Sequence, residues 1–211
     1  MPVVTALRSA RRGDMALEVD GVVACRVSLS LVARWRLYEG RELGVEAVGL
    51  IQAQAAAEQA LRDAHLLLGQ RARGCEELRR RLRRKGHPEA ALAAAVDSLR
   101  GDGLLDDRDF ARRFVADKRR LRGWGSERLR RSLEELGVDA GIIAAELSDT
   151  SEGAELEQAL AVLERAGAPQ PPLDAARRRA YAQLLRRGFP SSIAYKAVRQ
   201  WADSSPAGAS N

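Results

Sequence analysis

Residues 101–115, GDGLLDDRDFARRFV, gather the groups best placed to do chemistry. Asp102, Asp106, Asp107 and Asp109 lie beside two glycines, and a run of arginines and phenylalanines follows. Such a cluster could hold a divalent cation, supply paired carboxylates for acid–base work, or cap a helix. A calcium loop needs oxygen ligands at alternate positions and a closing bidentate acid. Leu104-Leu105 occupies the middle of this stretch and breaks that pattern. Acid–base catalysis needs a pocket and a second tuned group, and nothing in the neighbouring sequence marks either. Capping needs only a carboxylate ahead of an apolar helical stripe. Asp106 or Asp107 ahead of Phe110 and Phe114, at i and i+4, meets that requirement. The aspartates are therefore expected to separate two helices, with Gly101 and Gly103 ending the first and Leu104 and Leu105 plugging the turn.

The remaining reactive side chains are sparse. His65 and His87 are the only histidines, and neither has a Cys, Asp or second His at ligand spacing. Cys25 and Cys75 share no metal-like spacing and are expected to be reduced thiols. No phosphate-binding loop or nucleophile elbow is present. The expectation is a protein that is not an enzyme and carries no metal and no cofactor.

What the chain does offer is positive charge. It has 35 Lys and Arg against 29 Asp and Glu, a net charge of +6. Residues 70–131 hold 19 basic and 10 acidic residues, while Glu134 to Glu164 holds nine acidic and no basic ones. One basic cluster is the predicted helix 76–85, EELRRRLRRK, where Leu78 and Leu82 would be buried and Arg79, Arg80, Arg83, Arg84 and Lys85 left outside. A second runs through Arg112, Arg113, Lys118, Arg119, Arg120, Arg122 and Trp124, and Arg130 and Arg131 continue it. Charge runs are usually solvated faces. Here neighbouring acids are few, so contact with phosphate or with an acidic protein groove is the stronger expectation. Trp124, between two glycines, could stack on an unpaired base or fill a gap between helices; filling is favoured. The acidic run is either a solvated surface or a match for a basic partner.

These groups need a scaffold, and a repeat supplies it. Gly86, Gly137 and Gly188 are 51 residues apart, each preceded by a leucine four positions earlier: Leu82, Leu133 and Leu184. Pro88, Asp139 and Pro190 follow two positions on, suited to N1 or the cap of a new helix. The same offset places Gly74 over Gly125, which gives three helices per repeat. The expected fold is mainly α: three tandem three-helix repeats in an extended curved array. Residues 1–30 instead show short apolar alternation with Asp20-Gly21 as a hairpin turn, which predicts a small antiparallel β-meander. A short helix capped by Ser28 or Ser30 should follow it and end at Gly40. The expected organisation is meander and short helix at 1–44, repeats at 45–106, 107–151 and 152–202, and a frayed tail at 203–211. Trp35 and Trp201 should be core residues. With neither a signal-peptide core nor a membrane span, a cytoplasmic monomer is expected.

The phrase GLLDDRDFARRF, preceded by ELRRRLRRKGHPEAALAAAVDSL and followed by GWGSERLRRSLEELGVD, resembles the signature of the RecX family. The likeness runs from about residue 55 to about 150 and is looser outside it. It implies the same three-repeat architecture and a cytoplasmic modulator of the recombinase RecA. Such a protein binds RecA and its single-stranded DNA filament, lodges in the filament groove, and inhibits strand exchange, ATPase and co-protease activity. Single-stranded DNA, with double-stranded DNA as a second candidate, would be a further partner. The competing class is a helix-turn-helix regulator that reads duplex DNA, although its basic helices would be almost pure arginine. A hydrolase or nuclease lacks an assembled constellation.

Overall fold

The computed structural model describes residues 1–148 and 151–204, with only the backbone of Arg12. The chain divides into two compact units at Leu105/Asp106. In the first unit, β1 (Val4–Ser9), β2 (Met15–Val19) and β3 (Val22–Val27) form an antiparallel sheet in the order β1-β2-β3. Leu7, Leu17 and Cys25 lie across from one another in register. The β2–β3 turn is Asp20-Gly21, with φ of 51° and 79°, the pair of positive values that its two-residue length requires. Helix α1 (Leu29–Trp35) is capped by Ser28 Oγ, which accepts from Leu31 N at 3.1 Å. It stops at Arg36, which turns left-handed (φ 49°), rather than running on to Gly40. Leu37 then folds back and buries itself against the sheet.

Helix α2 (Val45–Gln70) is shared by two cores. Its first half packs Ile51 and Ala55 against Val4, Leu17, Val27 and Leu31 of the meander and α1. Its second half packs Ala64 and Leu67 against α3 (Cys75–Arg84) and α4 (Glu89–Gly101) through Leu78, Leu82, Leu92, Val96 and Leu99. Ala60 meets Ala91 and Ala95, small residues that let the two helices approach closely.

The second unit holds two three-helix sets: α5 (Asp107–Arg122), α6 (Ser126–Leu136) and α7 (Ala140–Ser148), then α8 (Glu152–Glu164), α9 (Leu173–Arg186) and α10 (Ser191–Asp203). The expected tail lies, from residue 205 onward, outside the described residues. Leu129, Leu133, Val138 and Ile143 centre one core on the α5 face bearing Phe110 and Val115. Leu163, Leu184, Phe189, Ile193 and Trp201 centre the other.

The glycine spacing has a concrete cause. Gly86, Gly137 and Gly188 have φ of 88°, 82° and 82°. At each, the next residue's N–H returns to the leucine carbonyl: His87 to Leu82 at 3.4 Å, Val138 to Leu133 at 3.0 Å, Phe189 to Leu184 at 3.1 Å. This is the same left-handed helix stop used three times, and it satisfies carbonyls that a helix end would otherwise leave open. Asp106 caps α5 as its position predicts: Oδ1 accepts from Arg108 N (2.8 Å) and Asp109 N (3.2 Å). Of the two leucines before it, only Leu105 plugs the turn; Leu104 is exposed. Trp201 is buried, whereas Trp35 is half-buried and donates to Gln54 Oε1 at 2.8 Å. Among the described residues no helix is long and apolar enough to cross a membrane.

Candidate functional site

The two basic clusters lie in different units. On α3, Leu78 and Leu82 fill the core, and Arg80, Arg83, Arg84 and Lys85 are exposed. Arg79 is only half outside, because its Nε is buried. Contrary to expectation, acids do reach this run. Arg83 forks onto Glu89, with contacts of 2.9–3.2 Å, and Lys85 Nζ sits 2.9 Å from Asp63 of α2. His87 Nε2 reaches the other oxygen of Asp63, also at 2.9 Å. Desolvation pushes the Asp63 carboxyl up, but the hydrogen bonds from Lys85 and His87 outweigh it and hold the pKa below its usual value. Among the described residues no group of three His, Cys, Asp or Glu is placed to hold a metal ion.

At the start of α3 lies a group that the sequence alone did not single out. Glu77 Oε1 collects three guanidiniums: Arg71 at 2.5 Å, Arg73 at 2.7 Å and Arg81 at 3.0 Å. Glu77 and Arg73 are both buried, and Arg73 Nε also donates to Leu67 O at 3.0 Å. Burial would raise the Glu77 pKa, yet the bonds from Arg81 and Arg73 keep it below the ordinary range. Arg73–Glu77 and Glu77–Arg81 are i, i+4 pairs, so the signal was present in the spacing.

The second cluster spans α5, the α5–α6 turn and α6. Arg112 and Arg113 are exposed but both pair with Asp109, Arg113 Nε at 2.8 Å. Arg120 leans towards Asp117 at 3.4 Å. Arg119 is half-buried; desolvation lowers its pKa, against the opposing pull of Glu155 and Glu146. Trp124 fills a gap, as favoured. Its ring meets Phe114 edge-on at 6.3 Å, with Lys118 Nζ at 5.3 Å and the Arg128 guanidinium at 4.3 Å. Arg128, four residues on from Trp124, completes the cation–π stack and was not among the expected site residues. Arg122, Arg130 and Arg131 are exposed. Among the described residues, Arg84, Arg122, Arg130 and Arg131 have no carboxylate within ion-pair distance.

The turn that bears Trp124 is also a junction inside the second unit. Gly125 N donates to Arg187 O at 2.9 Å, and Glu127 N donates to Gly188 O at 3.0 Å. Arg128 Nη1 donates to Arg186 O at 3.1 Å. Ser126 N donates to Glu155 Oε1 at 2.9 Å. Open donors at the start of α6 thus meet open acceptors at the end of α9. Glu155, from the acidic run, is buried here as a cap and is not a surface charge. Glu152 is exposed and pairs with Lys196.

Known proteins share this architecture. Residues 106–147 match the family model for the RecX second three-helix domain, and residues 154–198 match that for the RecX third three-helix domain. The regulatory protein RecX of Mycolicibacterium smegmatis is 34% identical over 148 residues, covering 67% of this chain and 78% of that protein. The RecX of Bacillus licheniformis is 26% identical over 204 residues, covering 95% of this chain and 78% of that one. A crystal structure of regulatory protein RecX superposes with a TM-score of 0.66 at 22% identity, over 95% of this chain and 100% of its own. RecX from Lactobacillus salivarius does so with a TM-score of 0.60 at 18% identity, over 70% and 97%. The molecule is thus a helical-repeat regulatory protein with a small N-terminal sheet, and the chain belongs to the RecX family.

Proposed function

We propose that this protein binds the recombinase RecA together with its single-stranded DNA filament in the cytoplasm and restrains it, acting by occupancy and without turnover. Family membership supports the regulatory role. The observation that carries the contact is the set of exposed guanidiniums with no carboxylate partner, Arg84 on α3 and Arg122, Arg130 and Arg131 around α6. An arginine already paired with a neighbouring acid has less to gain from a phosphate than one held only by water. The paired cations Arg83, Lys85, Arg112, Arg113 and Arg120 contribute less on this account, and Arg79, Lys118, Arg119 and Trp124 position the others. Binding should weaken steeply with salt as phosphate counterions return.

The test is RecA-catalysed ATP hydrolysis on single-stranded DNA with this protein titrated in. Three forms are compared: wild type, Arg80/Arg83/Arg84→Ala on α3, and Arg130/Arg131→Ala on α6. Inhibition by wild type that either variant loses supports restraint through that face. Equal inhibition by all three moves the contact elsewhere. No inhibition by any of them at low salt, combined with tight binding to one duplex sequence, would replace RecA regulation with the duplex-reading alternative.

A further inference from the structure

The third repeat departs from the first two at several positions along α9 and α10; of these Tyr181 packs partly against the core, whereas Tyr195 is exposed. A 51-residue offset equates Tyr195 on α10 with Ala93 and Ala144, so this position needs no ring to fold. Arg199 stands where the others have Asp97 and Ser148, and Arg178 on α9 stands where they have Glu76 and Glu127. Tyr181 replaces Arg79 and Arg130. Two aromatic rings stand where the other repeats have alanine or arginine, and two arginines stand where three of the four counterparts are acids.

These replacements converge. Arg177, Arg178, Tyr181, Tyr195, Val198, Arg199 and Asp203 line one groove between α9 and α10, of about 530 Å³. That lies within the roughly 300–1,000 Å³ of sites that take small organic groups. Tyr195 is 64% exposed, while Val198 gives a buried apolar floor. Arg177 sits 3.9 Å from both Asp174 and Asp203. Among the described residues Arg178 and Arg199 have no carboxylate at ion-pair distance, so the groove carries net positive charge.

We infer that the α9–α10 groove is a single-stranded nucleic-acid site, with an unpaired base stacked on Tyr195 over Tyr181 and Val198, and flanking phosphates held by Arg178 and Arg199. Cations alone would suit an acidic peptide equally well. Two tyrosines in the lining favour bases, whose flat faces such rings match without regard to sequence. The inference extends the proposed filament contact to the third repeat. It rests on that proposal only for its biological setting, and its test contains no RecA.

The full chain, with Tyr195→Ala and Tyr195→Phe variants, is titrated into a fluorescent thymidine pentanucleotide and into an abasic oligomer of equal charge. A 5-iodouracil pentanucleotide is photo-cross-linked in parallel and the adduct mapped by mass spectrometry. The inference expects an adduct on Tyr195 or Tyr181, and about tenfold weaker thymidine binding for Tyr195→Ala. Tyr195→Phe should stay within about twofold of wild type, because the ring remains. The abasic oligomer should bind wild type no better than the thymidine oligomer binds Tyr195→Ala. Unchanged affinity in Tyr195→Ala, or adducts confined to other residues, overturns the inference. So does a poly-glutamate probe that binds with Tyr195 dependence where the oligonucleotide does not. Loss of RecA inhibition with the groove result intact, or the reverse, separates failure of one idea from failure of the other.

Discussion

Replacing Gly125 with alanine probes the inter-repeat junction in the second unit. Gly125 caps α6 at φ −83°, a conformation that alanine adopts freely, so local backbone preference predicts a slight gain. Shortening the unfolded ensemble would stabilise the protein by about 0.4–1 kcal/mol. The surroundings say otherwise. A Cβ on Gly125 would lie 2.4 Å from Gly188 O, 2.5 Å from Gly188 C and 2.5 Å from Phe189 N, all backbone atoms that cannot rotate away. Relief requires α6 to retreat from α9, which breaks Gly125 N–Arg187 O and Glu127 N–Gly188 O. Each such bond contributes about 1 kcal/mol net, and a donor left buried without a partner costs about 1–3 kcal/mol. The balance is a loss of roughly 2–4 kcal/mol. For a unit of this size that is a fall in Tm of about 10 °C or more, read by scanning calorimetry or helical circular dichroism. Gly44→Ala is the control: it too is a helix N-cap, with φ −67° and open space around it, and should shift stability by about 0.5 kcal/mol at most. A Gly125→Ala protein as stable as wild type would refute the close-contact account of this turn.

Four further outcomes follow. Glu155→Gln should destabilise the second unit by about 1–2 kcal/mol, because Ser126 N loses a charged acceptor, whereas Glu157→Gln, on the exposed side of α8, should be neutral in urea titrations. Glu77→Ala should cost about 3 kcal/mol or more by leaving the buried Arg73 guanidinium uncompensated. Because the Glu77 and Asp63 carboxyls sit below their usual pKa when folded, their stabilisation is complete above the unfolded carboxylate pKa and drains away as pH falls through the folded values; Glu77→Gln should flatten the acid limb of a Tm-against-pH curve. Burial raises the Cys25 thiol to about 11, so Cys25 should react with a disulfide reagent at pH 8 far more slowly in the native protein than in urea.

Much of the scaffold was legible because its signals are local. A left-handed glycine four residues after a buried leucine leaves the same mark at 86, 137 and 188, and Asp106 ahead of Phe110 is a cap whose partners lie within three residues. The short helix was overrun for the same reason: Gly40 is a plausible stop by type, but Arg36 turns first so that Leu37 can bury. Side chains whose role depends on distant partners were less readable. The Asp63–His87 contact joins residues 24 apart, and the Ser126–Glu155 cap joins residues 29 apart, so Glu155 passed for one more surface acid. Counting charges along the chain also misjudged α3, since neutralisation happens in space and Glu89 and Asp63 come from outside the run.

The bonding of α6 onto α9 has a consequence for how this protein can diverge. Two neighbouring repeats are joined by main-chain bonds and by side chains that reach main-chain atoms, with glycines marking the places where no side chain fits. Their rotational phase is therefore written in the backbone. Exposed positions such as Arg130 and Tyr195 are free to be exchanged, even reversed in charge, without altering the angle or spacing at which those surfaces are presented. The second unit can thus change its surface side chains while keeping a constant gauge between its two repeats.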